Sequence, residues 1–186
     1  MPVDEKLLKK VIKEGGKRGV EIEGAATMGG LEFFCTKVDE PEGDVDLLLE
    51  SVKAMNAPCD DAEEERKGGA GDIGKMIFSV GEKRVAIVAH VPESQKDKID
   101  AKVWLQNVVE AFDGKVLGGD SLLAYGEILG NPEKEIFPLK VRDLALPKAI
   151  EYLRSKKLFP EAADDSSDDE AVFGDDFDFE AVESTN

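Results

Sequence analysis

The sequence predicts an α/β domain over residues 1–160, with helices packed on a mixed β-sheet, followed by a disordered acidic tail over residues 161–186. Three observations predict this. Amphipathic stretches with the 3.6-residue period alternate with short apolar runs, the order that lays helices on a sheet. Two of those runs, 75–80 and 84–91, are joined by Gly81, Glu82 and Lys83 and read as a hairpin. The last 26 residues hold eleven acids and no Lys or Arg. Their five apolar anchors (Val172, Phe173, Phe177, Phe179 and Val182) are too few to offset the entropy of ordering them.

Along the chain, Val3, Leu7, Leu8, Val11 and Ile12 share one helical face with lysines on the other, and Gly15 and Gly16 are expected to end that helix. A glycine-punctuated stretch leads to the apolar run 31–38, a buried strand stopped by Pro41 and Gly43. Asp44 suits the N-cap of the next helix, because its carboxylate accepts from orphan first-turn amides. That helix carries Val45, Leu48, Val52 and Met55 as its stripe and closes at Asn56. Residues 57–74, polar and glycine-rich, are expected to form a mobile loop before the hairpin. Pro92 ends the hairpin's second strand. Asp100 caps a helix with Val103, Trp104, Val108, Ala111 and Phe112 inward, and Gly114 stops it. Residues 116–129 are expected to hold a turn and one further strand. Pro147 fits the first turn of a closing helix, with Leu146, Ile150 and Leu153 inward.

The formal charge of −17 is largely a property of the tail, since without its eleven acids the remainder stands at about −6. A chain-wide preference for nucleic acid would show as a basic balance. RNA binding would therefore need a local patch. One candidate is the first helix, with Lys6, Lys9, Lys10, Lys13, Lys17 and Arg18; another is the last, with Arg154, Lys156 and Lys157. Each set is either a phosphate-contacting face or the wet side of an amphipathic helix. Cys35 and Cys59 suit a reducing compartment, and no stretch has the form of a signal peptide or a membrane span. A cytoplasmic or nuclear protein without membrane contact is expected.

No catalytic, metal or cofactor site is expected. Gly69, Gly71 and Gly74 spell GxGxxG, and Gly69 to Lys75 match the first seven positions of a P-loop. Both motifs need a strand before and a helix after, because the phosphate rests on a helix N-terminus. Here an acidic loop precedes and a strand follows, and Met76 stands where a Ser or Thr would hold magnesium. His90, the only histidine, is the one residue type that titrates near neutral pH unperturbed, so a pairing with Cys35 or a serine is the form an enzyme would take. Neither spacing nor flanking sequence carries such a pair. Two cysteines and one histidine far apart show no zinc-ligand spacing, and the acids at 60, 61 and 63–65 lack the alternation of a calcium loop.

In the tail, Ser166 and Ser167 each have an acid three residues on, which suits an acidophilic kinase. Phe179 and Val182 have the aromatic-x-x-aliphatic form of peptides that add as a strand to ubiquitin-like autophagy modifiers. Phe173, Phe177, Phe179 and Val182 are the expected contacts to a protein partner, and the acids would speed the encounter. The composition is also similar to the acidic, Phe-containing ends of ribosomal stalk proteins.

The segments GGLEFFCTKV, DLLLESVKAMN, GKMIFSVGEKRVAIVAHV, DAKVWLQNVVEAF and DGKVLGGDSLLAYGEI follow one another between Gly29 and Ile128. From Gly29 to Gly126, about half the chain, this order resembles the C-terminal domain of alanyl-tRNA synthetases and the related domain of DHH phosphoesterases. The family's glycine segment is close to GGKGGGRP followed by Ala-Gln-Gly; this chain has Gly114, Lys115, Gly118, Gly119, then Ala124 and Gly126. The arginine is missing, and Asp120 stands near its place. The resemblance implies the family's fold and a link to translation, since in the synthetases this domain contacts the tRNA elbow. It implies no phosphoesterase activity, because no DHH metal motif is present.

The first functional reading is a non-catalytic binding or adaptor protein associated with RNA or translation, docking a protein partner through its tail. The alternative is a protein–protein adaptor without RNA contact. The third is an enzyme built on His90, which a pocket around that residue lined by perturbed titrating groups would favour.

Overall fold

The computed structural model describes residues 5–58 and 68–158, as one α/β domain. Its elements run α1 (Glu5–Gly29), β1 (Phe33–Lys37), α2 (Val45–Asn56), β2 (Gly74–Val80), β3 (Arg84–His90), α3 (Ala101–Glu110), β4 (Lys115–Gly119), β5 (Leu123–Leu129) and α4 (Pro138–Ser155). The five strands form one mixed sheet in the order β1-β2-β3-β5-β4, with β1 and β2 parallel and the other pairs antiparallel. Side chains alternate across the sheet. Val85, Ile87 and Ala89 of β3 pack with α3 and α4, while Ala86 and Val88 pack with α1 and α2. The domain is thus three layers, and α2, β2, β3 and α3 lie where the pattern of the sequence puts them. Trp104 is fully buried, edge-on to Phe33 at 6.1 Å, and its Nε1 donates to the Ala149 carbonyl at 3.2 Å.

The first helix corrects the expectation most. It does not stop at Gly15 and Gly16 but continues to Gly29. Those glycines, with Gly19, let α1 lie almost backbone to backbone on α2. A Cβ on Gly15 would fall on the Ser51 carbonyl and 2.9 Å from its Oγ; one on Gly19 would lie 2.8 Å from the Met55 carbonyl oxygen. Close packing here outweighs the helix-breaking tendency of glycine.

The loop expected over 57–74 is in part fixed. Residues 59–67 lie outside the described residues, but Gly68 and Ala70 are buried. Gly69 N donates to Ala57 O and Ala70 N to Met55 O, so this segment satisfies carbonyls at the end of α2, while Gly68 N donates to Gly16 O in α1. Gly68 and Gly69 hold φ of +77° and +86°, which a side chain would strain.

Three further corrections concern the second half. On α3 the buried stripe is Ala101, Trp104, Leu105, Val108 and Val109; Val103 flanks it at 49% exposure. The helix ends at Glu110, which leaves Ala111 exposed and Phe112 half-buried in the following turn. The segment 116–129 contributes to two strands, β4 and β5, rather than one. The last helix starts at Pro138, with Pro147 inside it on the exposed side, where water can serve the carbonyl that proline's missing N–H leaves unpaired. Leu153 is buried as expected, Leu146 and Ile150 are half-buried, and Val141, Ala145 and Ala149 complete that face. Among the described residues no helix is long and apolar enough to cross a membrane.

Candidate functional site

Lys75 is the most unusual side chain in the core. It is the second residue of β2, directly opposite His90, the last residue of β3, and it is fully buried. A buried ammonium persists only where its protons are taken up. Here Nζ reaches Asn56 Oδ1 at 2.5 Å, the Ala70 carbonyl at 2.8 Å, the Ile73 carbonyl at 2.9 Å and His90 Nδ1 at 3.2 Å. Asn56 is the last residue of α2, so the cation also sits at the negative end of that helix. One side chain thereby ties together the end of α2, the segment 68–73 and the hairpin.

The electrostatics follow from burial. Desolvation brings the Lys75 ammonium down to about 7, with the nearby Asp72 carboxylate working against it. Burial first, then the Lys75 charge, brings His90 down to about 4, while a hydrogen bond with the Ile73 backbone opposes the shift. At neutral pH His90 is therefore uncharged, with its Nδ1 beside the Lys75 amine.

His90 is also where two clefts meet. One, of about 650 Å³, is lined by Asp72, Pro92, Ser94 and Leu122. The other, of about 640 Å³, runs between α2 and β5; Leu49, Val52 and Leu123 make it mainly apolar, and Lys53 and Asn56 also line it. The sign expected of an enzyme is thus present in part: clefts at His90 and shifted titrations beside it. Cys35 takes no part, because it packs on the opposite side of the sheet, against the α3–α4 core, where burial pushes its thiol up.

The basic residues separate into two groups. Lys10, Lys13, Lys17 and Arg18 on α1 line one open depression of about 340 Å³ together with Glu14, Glu21 and Glu40; Lys9 is exposed on the same helix. Arg18 pairs with Glu21 at 2.8 Å, and Glu14 accepts from the amides of Asp39 and Glu40. Arg154, Lys156 and Lys157 lie at the end of α4, on the other side of the sheet, with Lys156 Nζ 5.7 Å from the centroid of the Tyr152 ring. The two stripes do not form one surface. Ser166, Ser167, Phe173, Phe177, Phe179 and Val182 lie outside the described residues.

The glycine loop supplies the Ala70 and Ile73 carbonyls that accept from Lys75, and a strand, β2, follows it rather than a helix. Sequence reasoning read Lys75 only as a P-loop position; its cross-strand alignment with His90, legible from the hairpin register, was the signal that could have found the pair. Asp120 builds the β4–β5 turn, accepting from the amides of Leu122 and Leu123 at 2.8 and 3.0 Å.

No protein-family model and no curated protein matches the chain. Among solved structures it is similar to the C-Ala domain of alanyl-tRNA synthetase from Aquifex aeolicus, at 18% identity over 68% of this chain and 90% of that one, with a TM-score of 0.40. It is similar also to the catalytic domain of histidine kinase ThkA, at 18% identity over 73% of this chain and 100% of that one, with a TM-score of 0.20. The first is a distant structural resemblance and the second a fainter one.

Proposed function

We propose that this is a non-catalytic binding protein that receives the phosphate backbone of RNA on α1 and docks a protein partner through its acidic tail. The observation that carries the RNA part is the gathering of Lys10, Lys13, Lys17 and Arg18 on one open depression. Flexible ammonium groups on an exposed helix face suit a phosphate chain without sequence readout. The distant likeness to a synthetase domain adds no weight to it. Two features favour a structural over a catalytic role for the Lys75–His90 pair. The Lys75 amine is enclosed by the protein's own acceptors, and an imidazole brought down to about 4 is a poor base at neutral pH.

A second reading, an adaptor with no RNA contact, is favoured by Glu14, Glu21 and Glu40 interleaved with the four bases, a mixed pattern that suits a protein surface. Salt separates the two. Fluorescence anisotropy of the full chain with a single-stranded RNA should show log affinity falling with log salt at a slope of about −3 for four phosphate contacts. Lys13→Glu with Lys17→Glu should lower both affinity and slope. Absence of binding at low salt, even with the tail acids changed to Asn and Gln, would leave only the adaptor.

A further inference from the structure

The hydrogens around Lys75 can be counted. Nζ meets three oxygens, those of the Asn56 amide and of the Ala70 and Ile73 carbonyls, and one nitrogen, His90 Nδ1. An ammonium carries three hydrogens, one for each oxygen, and leaves a nitrogen lone pair as its fourth contact. The neutral amine carries only two, so one oxygen goes without. We propose that the His90 ring supplies the missing hydrogen: the ring hydrogen rests on Nε2 while Lys75 is charged and on Nδ1 once Lys75 has lost its proton. The pair is then a proton-driven tautomer switch, which goes beyond the binding role proposed above and does not depend on it.

The Ile73 carbonyl is the receiver on the ring's side. It accepts from Nζ, and the Ile73 backbone is also within hydrogen-bond reach of the imidazole. With the hydrogen on Nδ1, the ring serves Ile73 while the amine keeps Asn56 and Ala70, so all three oxygens stay paired. A hydrogen left on Nε2 would orphan one buried oxygen and set two lone pairs against each other across 3.2 Å. With Lys75 charged the preference reverses, because an Nδ1–H would point at an ammonium. Lys75 is fully buried, so bulk water does not make up the count.

The charges that face the pair are few. Asp72, on the segment 68–73, is the carboxylate that acts on Lys75. Glu93 follows β3 and shares the first cleft with His90, and Glu50 and Lys53 of α2 share the second. On β1 the residue opposite Lys75 is Phe34, and the Glu32 carboxylate just before that strand is held by Lys98 and Gln95. On β5 the residue opposite His90 is Leu123, and α1 reaches this side of the core through Ile22 and Ala26. Burial brings Lys75 to about 7 and His90 to about 4, so the ring stays neutral while the lysine titrates. The imidazole lines both clefts with its Nδ1 turned to Lys75. The clefts are therefore offered an N–H donor at Nε2 in the acid form and a lone pair in the basic form.

His90 is the chain's only histidine, so it gives one pair of ring nitrogen signals in NMR, and the nitrogen that bears hydrogen resonates far from the bare one. The experiment follows them in the isotopically labelled full chain from about pH 5.5 to about 9.5, together with the Lys75 Cε signal. The hydrogen should sit on Nε2 at the acid end and on Nδ1 at the basic end, with a midpoint near 7 that the Cε signal shares. Asp72→Asn removes a carboxylate that favours the ammonium, so both midpoints should move together to lower pH. Lys75→Met has no ammonium and should hold the hydrogen on Nδ1 throughout. One tautomer across the whole titration of the native chain would overturn the proposal, the Asn56 amide having rotated to serve the amine instead. So would two midpoints that separate, in the native chain or in Asp72→Asn, or a folded Lys75→Met chain with its ring hydrogen on Nε2.

Discussion

Lys75 and His90 face each other across the β2–β3 ladder, with Lys75 Nζ 3.2 Å from His90 Nδ1 and the rest of the ammonium's shell supplied by Asn56, Ala70 and Ile73. This cluster holds the chain's only histidine, a core lysine and the C-terminus of α2 in one arrangement, and its strength is directly measurable.

Lys75→Met keeps most of the side chain's unbranched length and removes every donor. Asn56 Oδ1 and the Ala70 and Ile73 carbonyls then lose their common partner, and an orphaned buried acceptor costs about 1–3 kcal/mol. Near pH 9 the folded chain holds Lys75 as the neutral amine, so methionine spares only the cost of releasing that proton on folding, which offsets part of this. A net destabilisation of about 2 kcal/mol is expected in urea unfolding near pH 9. A variant as stable as the native chain at that pH would show that the cluster is not a fastening.

The same residue sets a pH dependence. Folding lowers the Lys75 pKa from 10.5 to about 7, so between these values the unfolded chain holds a proton that the folded chain has released. Stability from this group therefore rises with pH through that window and is lowest below about 7. His90 behaves alike further down: with its pKa lowered from 6.5 to about 4, it removes stability as pH falls through that interval. The urea midpoint of the native chain should climb from pH 7 to 9.5 by more than that of Lys75→Met. Parallel profiles would remove Lys75 as the cause.

Much of the fold was legible because local signals and tertiary packing agreed. Asp44 and Asp100 are N-caps whose carboxylates accept from first-turn amides, and the hairpin follows from its alternating residues and three-residue turn. The failures lie where a residue's role is set by a distant neighbour. Gly15 reads as a helix stop until Ser51 is placed against it, and Pro147 as a helix start until Pro138 is seen to hold that position. The site was legible only in its Lys75–His90 register, and the rest was hidden for the same reason. Lys75 has no local sign of burial, since its acceptors come from three separate stretches of chain.

The glycines of α1 give a paired test. Gly24 has nothing within 4 Å of the place a Cβ would occupy, so Gly24→Ala should stabilise the domain by about 0.5–1 kcal/mol through helix propensity. Gly15→Ala gains the same propensity but drives a methyl into Ser51, and overpacking of this kind costs about 1–3 kcal/mol. Thermal melts should therefore move in opposite directions. Two stabilised variants would mean that α1 does not lie as closely on α2 as described.

Asp120, in the turn between β4 and β5, supplies the last test. Its carboxylate accepts from the amides of Leu122 and Leu123, and these two bonds hold its pKa below the ordinary 3.8. Folding thus favours the ionised form, a contribution present above that pH and lost as acid protonates the group. Asp120→Asn keeps an acceptor without the charge, while Asp120→Ala keeps neither. Unfolding midpoints near pH 7 should rank native, then Asn, then Ala. The gap between native and Asn should narrow as the pH is lowered through the carboxylate range. Asp120→Arg removes the turn's acceptor as Ala does, so it should fall with Ala in stability. An arginine variant as stable as the native chain would show that the β4–β5 turn does not depend on this carboxylate, and that Asp120 holds its place for some other reason.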